Sequence, residues 1–207
     1  MNAFSTLLGT QTILPIIQAN SSEEGVAIAT AMHKAGIQLV EVVLRTPASL
    51  DALIAIKKAL PDLCVGAGTI TDQALLAKSL AAGSDFIVTP AISPRLLDAL
   101  SQSSVPVVPG VSNTADILLA KEYGFTEQKL FPASLCGGEQ FLKAVSSVFA
   151  DIRFCPTGGI NEQNFKDYLA LNNVMAVGGT WVAQSQWVQS KDYEKITQAC
   201  LQVLNNN

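Results

Sequence analysis

The stretch LVEVVLRTPASLDALIAIKKALPDLCVGAGT, residues 39–69, holds two short apolar runs with a helical pattern between them. LVEVVL (39–44) and CVGAGT (64–69) are near-continuous in hydrophobicity, as a strand covered on both faces requires. Pro47 opens the segment between them, where its missing N–H does no harm and its fixed φ suits a helix. The unit reads strand, helix, strand, the crossover of a parallel sheet.

The unit repeats in both directions. Further runs are ILPIIQA (13–19), FIVTP (86–90), PVVPGV (106–111), KLFPA (129–133), RFCPTGG (153–159) and VMAVGG (174–179). Helix signals fill the gaps. Ser21-Ser22-Glu23-Glu24, Thr71-Asp72, Asn113-Thr114-Ala115-Asp116 and Asn161-Glu162 place side-chain oxygens and acids where a helix begins. Gly36, Gly83 and Gly124 follow helices, where a left-handed residue is wanted. Strand then helix, eight times at 20 to 26 residues per unit, predicts an α/β fold, a (β/α)8 TIM barrel. An open doubly wound sheet competes with it. GAGTIT (66–71) resembles part of a dinucleotide loop, but Thr71 stands where the third glycine belongs. No linker or low-complexity segment divides the chain, so one domain over residues 1–207 is expected.

Composition narrows the function classes. Hydrophobic residues make up 49% of the chain and charged residues 14%, enough to build a sizeable core. The net charge is −4 and no Lys/Arg cluster exists, which argues against nucleic acid as a partner. The first basic residue is Lys34, so the charged start of a signal peptide is missing, and no apolar run approaches the roughly 20 residues a membrane span needs. The cysteines (Cys64, Cys136, Cys155, Cys200) form no CxxC pair, and Cys64 and Cys155 read as small core residues. These features lead us to expect a soluble, reduced, cytoplasmic protein. His33 is the single histidine, which excludes a metal site built on several imidazoles, and it reads as a surface or packing residue.

In a barrel the carboxyl ends of the strands are where chemistry gathers. On the second strand Glu41, Val43 and Arg45 share a face, with Val40, Val42 and Leu44 toward the helices, so Glu41 points into the barrel. A buried carboxylate is costly without a partner, and the plain reading is a structural ion pair with Arg45 or Lys129. On the sixth strand Lys129, Phe131 and Ala133 share a face, so an inward Phe131 brings Lys129 inward. An amine in an apolar interior loses the solvation of its charged form and becomes a nucleophile able to form a Schiff base with a ketone. A nearby carboxylate can then move protons. A lysine that simply attracts a bound phosphate is an equally direct reading. The loops after the seventh and eighth strands carry Gly158-Gly159 and Gly178-Gly179-Thr180, in the usual phosphate position of this fold. Tight turns needing positive φ are the plain alternative.

These residues resemble a known family. EVVLRTP (41–47), GAGTI (66–70), VTPAIS (88–93), PGVS (109–112), KLFPA (129–133), FCPTGGIN (154–161) and VGGTW (177–181) are similar, in this order, to motifs of the 2-keto-3-deoxy-6-phosphogluconate (KDPG) aldolases, some of which also act on 4-hydroxy-2-oxoglutarate (KHG). The resemblance implies a class I, metal-free lyase that cleaves KDPG to pyruvate and glyceraldehyde 3-phosphate, a step of the Entner–Doudoroff pathway, and that is commonly a homotrimer. It implies no cofactor other than the covalent Schiff base, on Lys129, with Glu41 as general acid and base. Arg45 and Thr69 would hold the pyruvate carboxylate, and Pro90 and Phe131 would line the pocket. Gly158, Gly159, Gly179 and Thr180 would bind the phosphate, with Thr157 nearby. Thr180 stands where serine is common and Ala91 where glycine is, and Ser134-Leu135-Cys136 is variable. Arg45-Thr46 favours the gluconate over the galactonate branch. Two other readings stay open: a phosphosugar isomerase or epimerase using Lys129 and Glu41 without a covalent step, and a non-catalytic barrel that binds a phosphorylated metabolite. A class II aldolase is disfavoured because ligands for a divalent metal are missing. Trp181 and Trp187 could serve a trimer contact, although ordinary packing is the preferred reading for each.

Overall fold

A computed structural model describes residues 3–205 of the chain. Its strands are β1 (Ile13–Ile17), β2 (Leu39–Val43), β3 (Cys64–Gly68), β4 (Ile87–Val88), β5 (Val107–Val108), β6 (Gly110–Val111), β7 (Glu127–Leu130), β8 (Arg153–Phe154) and β9 (Val177–Gly179). The helices are α1 (Phe4–Leu8), α2 (Ser22–Lys34), α3 (Ser49–Ala59), α4 (Gln73–Ala81), α5 (Pro94–Leu100), α6 (Thr114–Glu122), α7 (Gly138–Val145), α8 (Phe165–Leu169), α9 (Ser185–Gln189) and α10 (Tyr193–Asn205).

All strand pairs are parallel. One sheet runs β5-β4-β3-β2-β1-β9 and the other β6-β7-β8. β5 and β6 occupy one barrel position, split at Pro109, whose carbonyl still accepts from Lys129 N at 2.8 Å. The ring closes on the other side through the bridges Phe154↔Val174 and Thr157↔Gly178. This is the (β/α)8 barrel expected from the repeating unit.

The apolar residues divide as a barrel demands. Val40, Val42, Val65, Ala67 and Leu130 join the layer between strands and helices. Leu14, Leu39, Phe86, Val88, Val108, Cys155 and Met175 fill the interior near the strand starts. Helix α1 closes that end: Phe4 and Leu8 join the interior cluster, and the Phe4 and Phe86 rings lie 5.0 Å apart. Glu127, at the start of β7, accepts from the N–H groups of Phe4 and Ser5.

Several sequence boundaries shift. The sixth run begins at Glu127 rather than Lys129, because the polar Gln128 is itself buried, with its amide donating to the carbonyls of Ile117 and Phe125. It stops at Leu130, and Ala133 packs in the outer layer instead of sharing the inward face of Lys129. Helix α3 starts at Ser49, after a turn in which Ser49 Oγ accepts from Thr46 N, rather than at Pro47. Helix α8 starts at Phe165, since Asn161 and Asn164 spend their side chains on the preceding turn. The caps at Ser21, Asp72 and Asn113 hold, each accepting backbone N–H bonds from the first turn. His33 packs at the end of α2, its Nδ1 3.1 Å from Ile37 O. Among the described residues, no helix is long and apolar enough to cross a membrane.

Candidate active site

The strand registers bring the interior polar residues together. Glu41 lies beside Ile16 of β1 and Gly66 of β3, and Lys129 lies beside Gly110 of β6. Across the barrel, Lys129 Nζ stands 3.5 Å from Glu41 Oε1. Both side chains are almost wholly enclosed, 4% exposed for the lysine and 0% for the glutamate. Among the described residues, neither carboxylate oxygen of Glu41 has a hydrogen-bond partner. A structural ion pair would be expected to satisfy its remaining lone pairs, because desolvating two charges is recovered only by good geometry and further hydrogen bonds. Here the amine and the acid face each other with bonding capacity unused.

The walls around the pair are shaped for it. A β-carbon on Gly68 would overlap the Glu41 carboxylate, so only glycine leaves that acid its place. A β-carbon on Gly110 would press on the backbone of Thr89 and Pro90, which brings the end of β4 against the register partner of Lys129. Thr89 is fully buried and ties this corner, donating to Ala91 O at 2.8 Å and accepting from Gly110 N at 2.9 Å. The Phe131 ring centroid lies 5.1 Å from Lys129 Nζ. Such an arrangement holds a cation over an aromatic face. Arg45 is exposed at the rim, and its Nε donates to Thr69 Oγ1 at 3.2 Å. Thr69 holds that position with φ of 64°, a left-handed conformation costly for a β-branched residue.

The glycine loops form a second corner. Thr157 is buried, and a β-carbon on Gly178 would overlap its hydroxyl. Gly158 and Gly159 both have positive φ. Their carbonyls accept from Ser134 N at 3.1 Å and Asn164 Nδ2 at 2.9 Å, which pins the loop. Behind Gly179 stands the Trp181 ring, stacked on Phe165 with centroids 6.1 Å apart. Trp181 and Trp187 both pack, partly buried, on the outer core. Thr180 is exposed just beyond β9. The structure therefore places Lys129, Glu41, Pro90 and Phe131 at the base, Arg45 and Thr69 on one rim, Thr157, Gly158 and Gly159 in the loop after β8, and Gly179 and Thr180 at and just past the end of β9.

The sequence reading missed three neighbours. Gly68 and Gly110 stand in the sequence only as members of the strand runs CVGAGT and PVVPGV, although the two glycines of GAGT, one strand over from Glu41, are a visible sign of space kept open. Cys155 read as core only, yet it lies within the electrostatic reach of Lys129 and Glu41. Burial pushes its thiol up to about 12, with Lys129 acting against that and Glu41 with it. Among the described residues, no group of three or more His, Cys, Asp or Glu gathers where it could hold a metal ion.

A parallel barrel with an enclosed lysine–carboxylate pair at its carboxyl end narrows the class, and comparison with known proteins narrows it further. Residues 5–199 match the model of the aldolase family described as KDPG and KHG aldolase. The chain is 40% identical over 185 residues to the 2-dehydro-3-deoxy-phosphogluconate aldolase of Dickeya dadantii, covering 89% of this chain and 87% of that protein. It is 38% identical over 192 residues to the KHG/KDPG aldolase of Escherichia coli, covering 93% and 90%. Among solved structures, KDPG aldolase from Legionella pneumophila, with pyruvate captured as a covalent carbinolamine intermediate, superposes with a TM-score of 0.93 at 35% identity, over 96% of this chain and 97% of that one. The chain belongs to the KDPG and KHG aldolase family.

Proposed function

We propose that this protein is a class I aldolase that cleaves 2-keto-3-deoxy-6-phosphogluconate to pyruvate and glyceraldehyde 3-phosphate through a Schiff base on Lys129. One observation carries the reading: Lys129 Nζ and the buried carboxylate of Glu41 stand 3.5 Å apart inside the barrel, and that carboxylate accepts no hydrogen bond from the described residues. The covalent pyruvate adduct of the Legionella relative supports it.

In this scheme the Lys129 amine attacks the C2 ketone. Glu41 protonates the oxygen, and water leaves the carbinolamine to give a protonated imine. The imine accepts electrons as the C3–C4 bond breaks, with the C4 hydroxyl proton passing to Glu41 through water. Glyceraldehyde 3-phosphate departs and an enamine of pyruvate remains. Glu41 returns the proton to C3, and hydrolysis frees pyruvate and Lys129. Arg45, held by Thr69, grips the substrate carboxylate with its guanidinium fork. Pro90 and Phe131 wall the pyruvate half and exclude water. Gly158, Gly159, Gly179 and Thr180 receive the phosphate on backbone N–H groups and a hydroxyl, with Thr157 beneath them.

The E. coli relative, named a KHG/KDPG aldolase, supports a second substrate, 4-hydroxy-2-oxoglutarate, cleaved to pyruvate and glyoxylate by the same steps. We further propose that the chain works as a single barrel domain in a cytoplasmic homotrimer. Sedimentation of the purified protein checks the assembly. The test of the function itself is turnover of Lys129→Ala with KDPG: cleavage should vanish while the circular dichroism spectrum is kept. Near-normal turnover in that variant would sink the scheme.

A further inference from the structure

Arg45 reaches the site from the loop between β2 and α3, and one atom of its side chain is secured: Nε donates to Thr69 Oγ1 at 3.2 Å. Among the described residues it makes no ion pair and no other side-chain hydrogen bond, so the N–H groups of its two terminal nitrogens are unspent. Such a fork serves a carboxylate well only when the backbone that carries it stays in place. Arg45 is exposed, so its own packing does not hold it there.

Two neighbouring hydroxyls supply the anchor. Thr46 Oγ1 donates to Ala19 O, just past the end of β1, at 2.9 Å. A hydroxyl has one hydrogen, so the 2.8 Å contact between Thr46 Oγ1 and Ser49 Oγ is a bond that Ser49 donates. Ser49 Oγ in turn accepts from Thr46 N at 3.1 Å. Thr46 thus gives both its amide and its hydroxyl to a closed ring of bonds. Ser49 and Ala19 are each 1% exposed, so water does not compete for that ring. The ring does not serve the helix that follows it, because α3 has no side-chain cap. On the other side of Arg45, Leu44 N donates to Gly68 O at 2.9 Å. Arg45 is therefore held to β3 through the residue before it and to the end of β1 through the residue after it.

We infer that Thr46 is a positioning residue: together with Ser49 it fixes the backbone of Arg45 so that the guanidinium meets the carboxylate of the keto acid in one orientation. The Thr46 hydroxyl is spent on Ala19, so it acts through Arg45 rather than on the substrate. The inference rests on the aldolase reading of Lys129 and names what sets the affinity of that site for the carboxylate end of its substrate.

The test is the cleavage of KDPG by Thr46→Val, Thr46→Ser and Ser49→Ala, with Thr46→Val also placed on Arg45→Ala. An arginine held in its binding geometry only about a fifth of the time raises KM about fivefold. Thr46→Val should show that rise with kcat kept within about twofold, since the reacting pair is untouched. Thr46→Ser restores the hydroxyl and should return KM to near the wild-type value. Ser49→Ala should raise KM in the same direction, and it decides by the same criteria where Thr46→Val does not fold. On Arg45→Ala no fork is left to place, so Thr46→Val should add nothing to the pyruvate concentration that half-saturates borohydride trapping. An unchanged KM in a folded variant, a fall in kcat that matches the rise in KM, or an equal effect on Arg45→Ala overturns the inference. A wild type that neither cleaves KDPG nor takes up pyruvate is a separate result, and it overturns the aldolase reading together with this inference.

Discussion

A side chain at Gly68 would take the space that Glu41 fills: the position of its β-carbon overlaps the carboxylate of the acid facing Lys129. The register explains this. Glu41 pairs with Gly66, and Gly68 is the next residue of β3 on the same inward face. The GAG of the third strand is thus part of the acid's setting. Gly68→Ala should fold, with a loss of about 1–3 kcal/mol from overpacking. Its kcat should fall by about a hundredfold or more as the displaced acid loses its proton-transfer geometry. Thermal unfolding and steady-state kinetics measure the two effects, and unchanged kcat would remove Gly68 from the account.

Glu41→Gln separates the acid from the amine. The variant keeps the shape but cannot shuttle protons, so kcat for cleavage should drop by about 10²- to 10⁴-fold. The exchange of pyruvate methyl protons with deuterated water, followed by NMR, should fall in parallel. Exchange at the wild-type rate would assign the proton transfer to another group.

Arg45 is placed to bind through a planar fork, which lysine does not reproduce. Arg45→Lys should raise KM for the keto acid by about tenfold, the equivalent of one good charge-assisted hydrogen bond. Thr69→Ala should do the same more weakly, since it frees the Arg45 Nε held at 3.2 Å. Titration of pyruvate against activity reads both.

Burial pushes the thiols of Cys155 and Cys200 up to about 12. The same cause, joined by the Asp85 charge, takes Cys64 to about 12. Below those values the sulfurs stay protonated and are poor nucleophiles. At pH 8 an alkylating agent should therefore label Cys136, the half-buried cysteine in the loop after Lys129, well before Cys155 or Cys200. Mass spectrometry of a labelling time course shows the order, and early modification of Cys155 would mean the barrel interior is open to reagent.

Much of this was legible in the chain. The near-continuous apolar runs such as LVEVVL gave the parallel barrel, because strands covered on both sides leave no polar face. The inward position of Glu41 followed from the two-residue period alone. What local pattern could not give was contact across the barrel. Gly68 matters only because Glu41 lies one strand away, and Gly110 only because Pro90 does. The early end of β7 depended on the buried amide of Gln128, whose partners are on the neighbouring helix side. Helix α1 carries too few residues for a periodic signal, and its place is set by Glu127 and Phe86, far off in sequence.

The central claim is that Lys129 forms an imine with a keto acid. The direct measurement is borohydride reduction in the presence of pyruvate, read by intact mass and peptide mapping. The account predicts a single pyruvyl adduct on Lys129, lost in Lys129→Ala. A folded protein that takes up no adduct, or takes it up on another lysine, would contradict it and leave Lys129 an electrostatic partner for a bound phosphate.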